Sequence, residues 1–318
     1  MKYTFIFLIA LYVLSGCKPS NQQSKIINNL SDDGKSVKQI NWSKDVPAKH
    51  DIINGSAITY NDEIYVLTGK EGRLVKYNPV KFTWTDLPGL PGPRTEAGMT
   101  LWKDRIVVAG GIDDSSHILR RVDYFDLKEG VWKDMNSLPN SRARLSLDVM
   151  NDKLYATCGV CGTTESFYSD CLDILEYKED SHNWNPVTKL KSGRFSYSSV
   201  VVGTGLYILG GFGGAPGGGT FFIDHEKKEY GFKPELPNPR GNFGAVKIGN
   251  AIYTFGGRVK GSNSPMEKFD LATNKWETFG ICGFWSDRFA YTKWKNYIYV
   301  IGGTQEPHSV WKGEIIYN

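Results

Sequence analysis

Six polar or charged residues recur at one offset along this chain. Asn54, Glu96, Arg144, Ser196, Asn242 and Arg288 each stand twelve residues after a large aromatic: Trp42, Trp84, Trp132, Trp184, Tyr230 and Trp276. Brought together, they would form a polar ligand-binding ring. Arg144 and Arg288 occur in only two copies, so they could contact a ligand or simply pair with Glu96. Two positions earlier stand Arg94, Arg142, Arg194 and Arg240, with Ile52 and Ser286 as exceptions. A residue type repeated in four copies reads as structural, bonding loop carbonyls or neighbouring repeats.

Other reactive side chains are sparser. His50, His117 and His308, with Asp113 or Asp114, could be imagined as metal ligands. No ligand spacing constrains them, so neither a metal nor another cofactor is expected. Cys158, Cys161 and Cys171 cluster, and Cys282 stands apart. A bridge from Cys171 to Cys158 or Cys161 would staple the segment 160–170, with Cys161 and Cys171 the pair taken forward.

The elements that position these residues follow from a second constant. Twenty-seven residues after each aromatic comes a glycine that closes a β-like run: Gly69, Gly111, Gly159, Gly211, Gly257 and Gly303. Six copies of one interval define a repeat protein. Seven residues before each internal aromatic sits Tyr77, Phe125, Tyr177, Ile223 or Phe269, and Tyr317 is the expected equivalent in the last copy. Only the stretch between glycine and bulky residue changes length. Each unit holds four short strands, and radial repetition of such sheets predicts an all-β, six-bladed propeller. The N-terminal segment around Ile40–Ser43 is expected to complete the last blade and close the ring. The outer-strand tryptophan is expected to pack against the next blade. The polar ring and variable loops share one mouth of the channel, the natural place for a site. His182 and His225 fall on the opposite face.

The double glycine, the Tyr or Phe, and the Trp seven residues on resemble the kelch repeat, over essentially the whole chain from Ile40. Cys158 and Thr68 replace the first glycine in two copies, and Tyr230 replaces one Trp. The stretch Gly92-Pro93-Arg94 followed by Ile106–Gly111 is similar to exported bacterial N-acetylneuraminate mutarotases, which interconvert sugar anomers. That resemblance implies an anion-friendly cup, with Arg144 or Arg288 on a sugar carboxylate. The acid those enzymes carry after one glycine turn is replaced here by Lys70, Ile112, Val160, Phe212, Arg258 or Thr304. Glu96 or Glu165 would have to substitute. No Tyr–Cys and paired-histidine constellation of the galactose oxidase kind is present.

The N-terminus carries a separate message. Lys2 precedes an apolar stretch ending in Leu14-Ser15-Gly16-Cys17, which resembles a bacterial lipobox. Residues 1–16 therefore read as a lipoprotein signal peptide, with Cys17 the lipidated residue and outer-membrane lipid its partner. Residues 17–39 read as a flexible tether and 40–318 as the propeller. The formal charge of +4 falls to +3 without Lys2, too little to suggest nucleic acid. The expectation is an envelope lipoprotein on either side of the outer membrane. It would bind or isomerise sugars, acidic ones included, in a glycan-utilisation system. The alternative is a non-catalytic module docking another envelope protein through the loop face.

Overall fold

The computed structural model describes residues 32, 34–213, 218–259 and 265–318. Cys17 and the expected signal peptide lie outside them. Among the described residues all regular structure is β. Six four-stranded antiparallel sheets follow one another, each running from an inner strand outward. Blade one is Ser56–Tyr60, Glu63–Leu67, Leu74–Asn78 and Thr83–Leu87, and blades two to five repeat this order. In blade six, Ala290–Trp294, Tyr297–Ile301 and Val310–Tyr317 take their outermost strand from Val37–Lys44. That strand begins at Val37, three residues before the boundary expected for the propeller. Val37 is buried in a core cluster, which a free tether residue would not be.

The constant intervals have direct structural causes. Tyr77 faces Trp84 across neighbouring strands, and Phe125 faces Trp132, Tyr177 Trp184, Ile223 Tyr230 and Phe269 Trp276. A two-residue shift in either partner would break these cross-strand contacts. Blade six corrects one expectation: Trp42 faces Gly313, not Tyr317, which pairs with Val37. Gly313 is required there because a Cβ would lie 2.9 Å from the Trp42 ring. A second correction concerns direction. The indole N–H groups of Trp132, Trp184 and Trp276 donate to Pro88, Asn136 and Pro234, in the segments leaving the preceding blade rather than the next. Inner-strand tryptophans reach forward instead. Trp102 Nε1 donates to Asp152 O, and Trp294 Nε1 donates to Asp62 O across the seam between blades six and one.

The glycines closing each second strand permit close approach by the next blade. A Cβ on Gly110 would meet Arg142 O at 2.1 Å, and one on Gly302 would meet Ile52 O at 2.1 Å. Both glycines also have positive φ, 64° and 71°. The variable stretch of blade three is a hairpin, Val160–Thr164 with Phe167–Asp170, whose first strand also pairs with Arg142–Ala143. Cys161 and Cys171 are joined by a disulfide there.

Candidate functional site

The six ring positions lie two residues ahead of the inner strands, not on them. All six adopt the left-handed conformation, with φ between 53° at Asn242 and 58° at Arg288. Four of the six are neither glycine nor asparagine, so tertiary bonds must hold a conformation that costs L-residues energy. Those bonds run from blade to blade. Arg144 N donates to Glu96 O, Asn242 N to Ser196 O, Arg288 N to Asn242 O and Asn54 N to Arg288 O. The last bond crosses the seam. The ring is therefore real as a backbone feature.

Beneath it, the four repeated arginines are architectural. Arg94, Arg142, Arg194 and Arg240 are all buried, and each donates to the carbonyl sixteen residues on, at Gly110, Cys158, Gly210 and Gly256. Three also reach the entry of the third strand, at Asp173 O, Gly219 O and Pro265 O. Burial pulls all four guanidiniums below their ordinary pKa, opposed at Arg94 by Asp123 and at Arg240 by Glu267. In blades two to five these arginines lock the mouth of the blade to its own strand connection.

The two ring arginines, alike in sequence, have different fates. Arg144 Nε bonds Glu96 Oε2 at 2.6 Å and its Nη2 bonds Glu165 Oε1 at 2.8 Å. Its guanidinium also lies over the rings of Phe195 and Tyr168, at 5.7 and 5.9 Å. Burial disfavours its charge, but Glu96 and Glu165 outweigh that and raise its pKa. Arg144 is thus neutralised within the protein, and Glu96 is committed to it. Arg288 is exposed and has no carboxylate within 4.0 Å among the described residues. It lines a cleft of about 430 Å³ with Arg258, Trp285, Asp287, Thr304 and Gln305. Arg258, on the short strand Arg258–Val259 that pairs with Arg240–Gly241 between the second and third strands of blade five, is likewise exposed and without an ion pair among the described residues. Asp287 is occupied, its Oδ1 accepting from Thr304 Oγ1 at 2.5 Å. Trp285 is 56% exposed and offers a flat apolar wall. Of the six ring residues, only Arg288 lines this cleft. Asn54, Ser196 and Asn242 contribute the backbone ring.

Sequence reasoning missed Arg258 and Trp285 as cleft residues, and also Asp148. Asp148 sits on the inner strand of blade three, buried, with Ser146 Oγ at 2.7 Å and Ser199 Oγ at 2.8 Å. Burial pushes its carboxyl up to about 6. Ser146 in turn meets Tyr197 Oη, which donates to Thr157 O. A signal existed: the equivalent positions in the other blades are Ile58, Thr100, Val200, Val246 and Thr292, so Asp148 is the lone acid of its set.

The cysteines and histidines find local partners. Cys158 is a buried free thiol whose pKa burial raises to about 12. His50 pairs with Asp86, His117 with Asp113 and His308 with Asp51. No three His, Cys, Asp or Glu side chains converge as metal ligands among the described residues. His182 and His225 contact Tyr177 and Tyr230 in turns between third and fourth strands.

The fold and site define a six-bladed β-propeller with a ligand-sized cleft on its loop face. Comparison with known proteins adds the family. The KLHDC2/KLHL20/DRC7 Kelch-repeats domain matches residues 7–211, and the Kelch motif matches residues 239–280. The chain belongs to the kelch-repeat family. Kelch-like protein 40 of Xenopus tropicalis is 27% identical over 210 residues, covering 63% of this chain and 33% of that protein. Kelch-like protein terF of Aspergillus terreus is 24% identical over 237 residues, covering 68% of this chain and 52% of that protein. The match thus spans about a third of the frog protein and half of the fungal one. Among solved structures, YjhT superposes with a TM-score of 0.74 at 16% identity, covering 86% of this chain and 99% of that one. At that identity the likeness is one of fold.

Proposed function

We propose that this propeller binds a small carboxylate-bearing sugar in the cleft between blades five and six, at the cell envelope, tethered through Cys17. One observation carries the reading. Arg258 and Arg288 line the same cleft without a carboxylate partner among the described residues, beside an exposed tryptophan. Two like charges held together repel each other, and a bound anion relieves that repulsion through charge-assisted hydrogen bonds. The face of Trp285 suits the apolar side of a sugar ring, and Thr304 and Gln305 suit its hydroxyls. Arg144 and Glu96 support the scaffold and do not contact the ligand. The envelope location rests on the lipobox-like Leu14–Cys17 sequence.

The test is a calorimetric titration with N-acetylneuraminate and galacturonate, each against a neutral sugar of similar size. Acidic sugars should bind more tightly, and Arg288→Ala and Arg258→Ala should each weaken them about 10- to 100-fold, the worth of a charged hydrogen bond. Equal affinity for acidic and neutral sugars, or no change in Arg288→Ala, would sink the proposal.

A second reading has its own observation. Phe167 and Tyr168 stand out from the disulfide-stapled hairpin, 75% and 43% exposed. Such aromatics suit docking of another envelope protein. Phe167→Ser would then abolish partner capture without altering sugar titrations.

A further inference from the structure

Ser286 occupies, in blade six, the position that four other blades give to a buried arginine. Its backbone is held as theirs is. Gly257 N donates to Ser286 O at 2.8 Å, as Gly111, Gly159 and Gly211 donate to Arg142, Arg194 and Arg240, each at 2.8 Å. An arginine at 286 would therefore start from the same place and aim at the carbonyl sixteen residues on, Gly302 O. Blade four shows what such a guanidinium meets: Arg194 Nη1 donates to Gly210 O at 2.9 Å and to Gly219 O at 2.6 Å. Gly210 N also donates to Gly219 O, and in blade six Gly302 N donates to Ser309 O in the same way. The acceptors are thus rebuilt as Gly302 O and Ser309 O, while a serine is too short to reach them.

Beside the shorter side chain lies a cavity of about 240 Å³, walled by Phe284, Glu306, Ser309 and Trp311 and sharing Trp285, Ser286 and Gln305 with the anion cleft. Blade one, the other exception, fills the equivalent position with Ile52, which is fully buried. Ser286 Oγ is itself buried and has no hydrogen-bond partner among the described residues. A buried hydroxyl left so is costly and accepts a donor readily. At the rim, Glu306 holds Lys44 in an exposed pair at 3.1 Å, and that lysine lies 5.2 Å from the Trp311 ring. Cations are therefore already drawn to the entrance by a carboxylate and an aromatic face.

We infer that this cavity is a guanidinium subsite: blade six accepts from a ligand the group that four blades carry as their own arginine. The inference does not rest on the acidic-sugar reading. Guanidinium N–H groups would meet Ser309 O and Ser286 Oγ, with Glu306 as counter-charge in place of Lys44. The source is a free guanidino compound or an arginine side chain of a protein, and both share this chemistry.

The test uses the full mature chain and agmatine, which carries a guanidinium and no carboxylate. A blocked Gly-Arg-Gly tripeptide is the second probe. NMR should show shifts at the indole N–H groups of Trp285 and Trp311 that sodium chloride of equal ionic strength does not reproduce. Ser286→Arg should fill the cavity from within, raise Tm and weaken agmatine by about tenfold or more. Ser286→Ile, which copies blade one, should block the probe without supplying a charge and serves if the arginine variant fails to fold. Arg288→Ala removes a neighbouring positive charge and should not weaken agmatine, whereas it should weaken acidic sugars, which separates this subsite from the anion cleft. Tighter binding of tripeptide than agmatine identifies a protein side chain as the source, and the reverse order a free compound. Unchanged agmatine affinity in the folded cavity-filling variant, or no indole shifts with either probe, overturns the assignment.

Discussion

Replacing Asp148 by asparagine should stabilise this protein at neutral pH and do nothing for it in acid. Asp148 is buried on the innermost strand of blade three, where the hydroxyls of Ser146 and Ser199 donate to its carboxylate. Burial outweighs both and lifts its pKa from 3.8 to about 6. The folded chain thus holds this proton more tightly than the unfolded chain. Between about pH 4 and about pH 6 the native state binds more protons, so stability falls as pH rises through that window. Above it the whole cost is present, about 3 kcal/mol at 1.36 kcal/mol for each pH unit separating the two pKa values. Below about pH 4 the group is neutral in both states and costs nothing. Asparagine keeps the shape and never ionises, and the serine hydroxyls can turn to accept its amide. Urea unfolding followed by tryptophan fluorescence, run on both chains from about pH 4 to about pH 8, measures the difference directly. Asp148→Asn should match the parent at the acid end and exceed it by about 3 kcal/mol at the other. A gap that stays constant with pH, or a variant less stable at about pH 8, would refute the assignment of a disfavoured buried charge.

Two further outcomes follow from the ion pairs and the staple. Arg240→Met strands Glu267, whose carboxylate lies 2.9 Å from the guanidinium with both side chains fully buried. Thermal and urea unfolding should show a loss of about 3–5 kcal/mol, largely restored by adding Glu267→Gln. Cys161→Ser opens the disulfide across a ten-residue separation and should cost up to about 3 kcal/mol. Hydrogen exchange should then place the loss in the hairpin 160–170 and leave the blades protected.

Much of the fold was legible in the sequence because the repeat is enforced by pair contacts at short range. Trp132 must face Phe125 and Gly110 must admit the next blade, so neither residue type nor spacing can drift. The lapse at blade six shows the limit of that logic. Tyr317 has the right character, yet Gly313 holds the position, because the partner strand comes from residues 37–44 and its register is set across the seam. The structural arginines were legible for the same reason as the aromatics: four copies of one residue performing one local task.

The candidate site divides differently. By itself the sequence determined a six-bladed kelch architecture, the ring of six positions and the mouth at which they gather. Those follow from periodicity, and periodicity is written in the order of residues. Which ring residue is available to a ligand was decided only by the tertiary structure. Arg144 and Arg288 occupy equivalent positions, but a glutamate of blade two and a hairpin of blade three close around the first. Arg258 and Trp285 stand beside the second. A charge is free or spent according to what surrounds it in space, and those neighbours come from loops whose lengths obey no repeat. Ser286 makes the same point in reverse. In the sequence it was an exception to a pattern, and in the folded ring it lines a cavity.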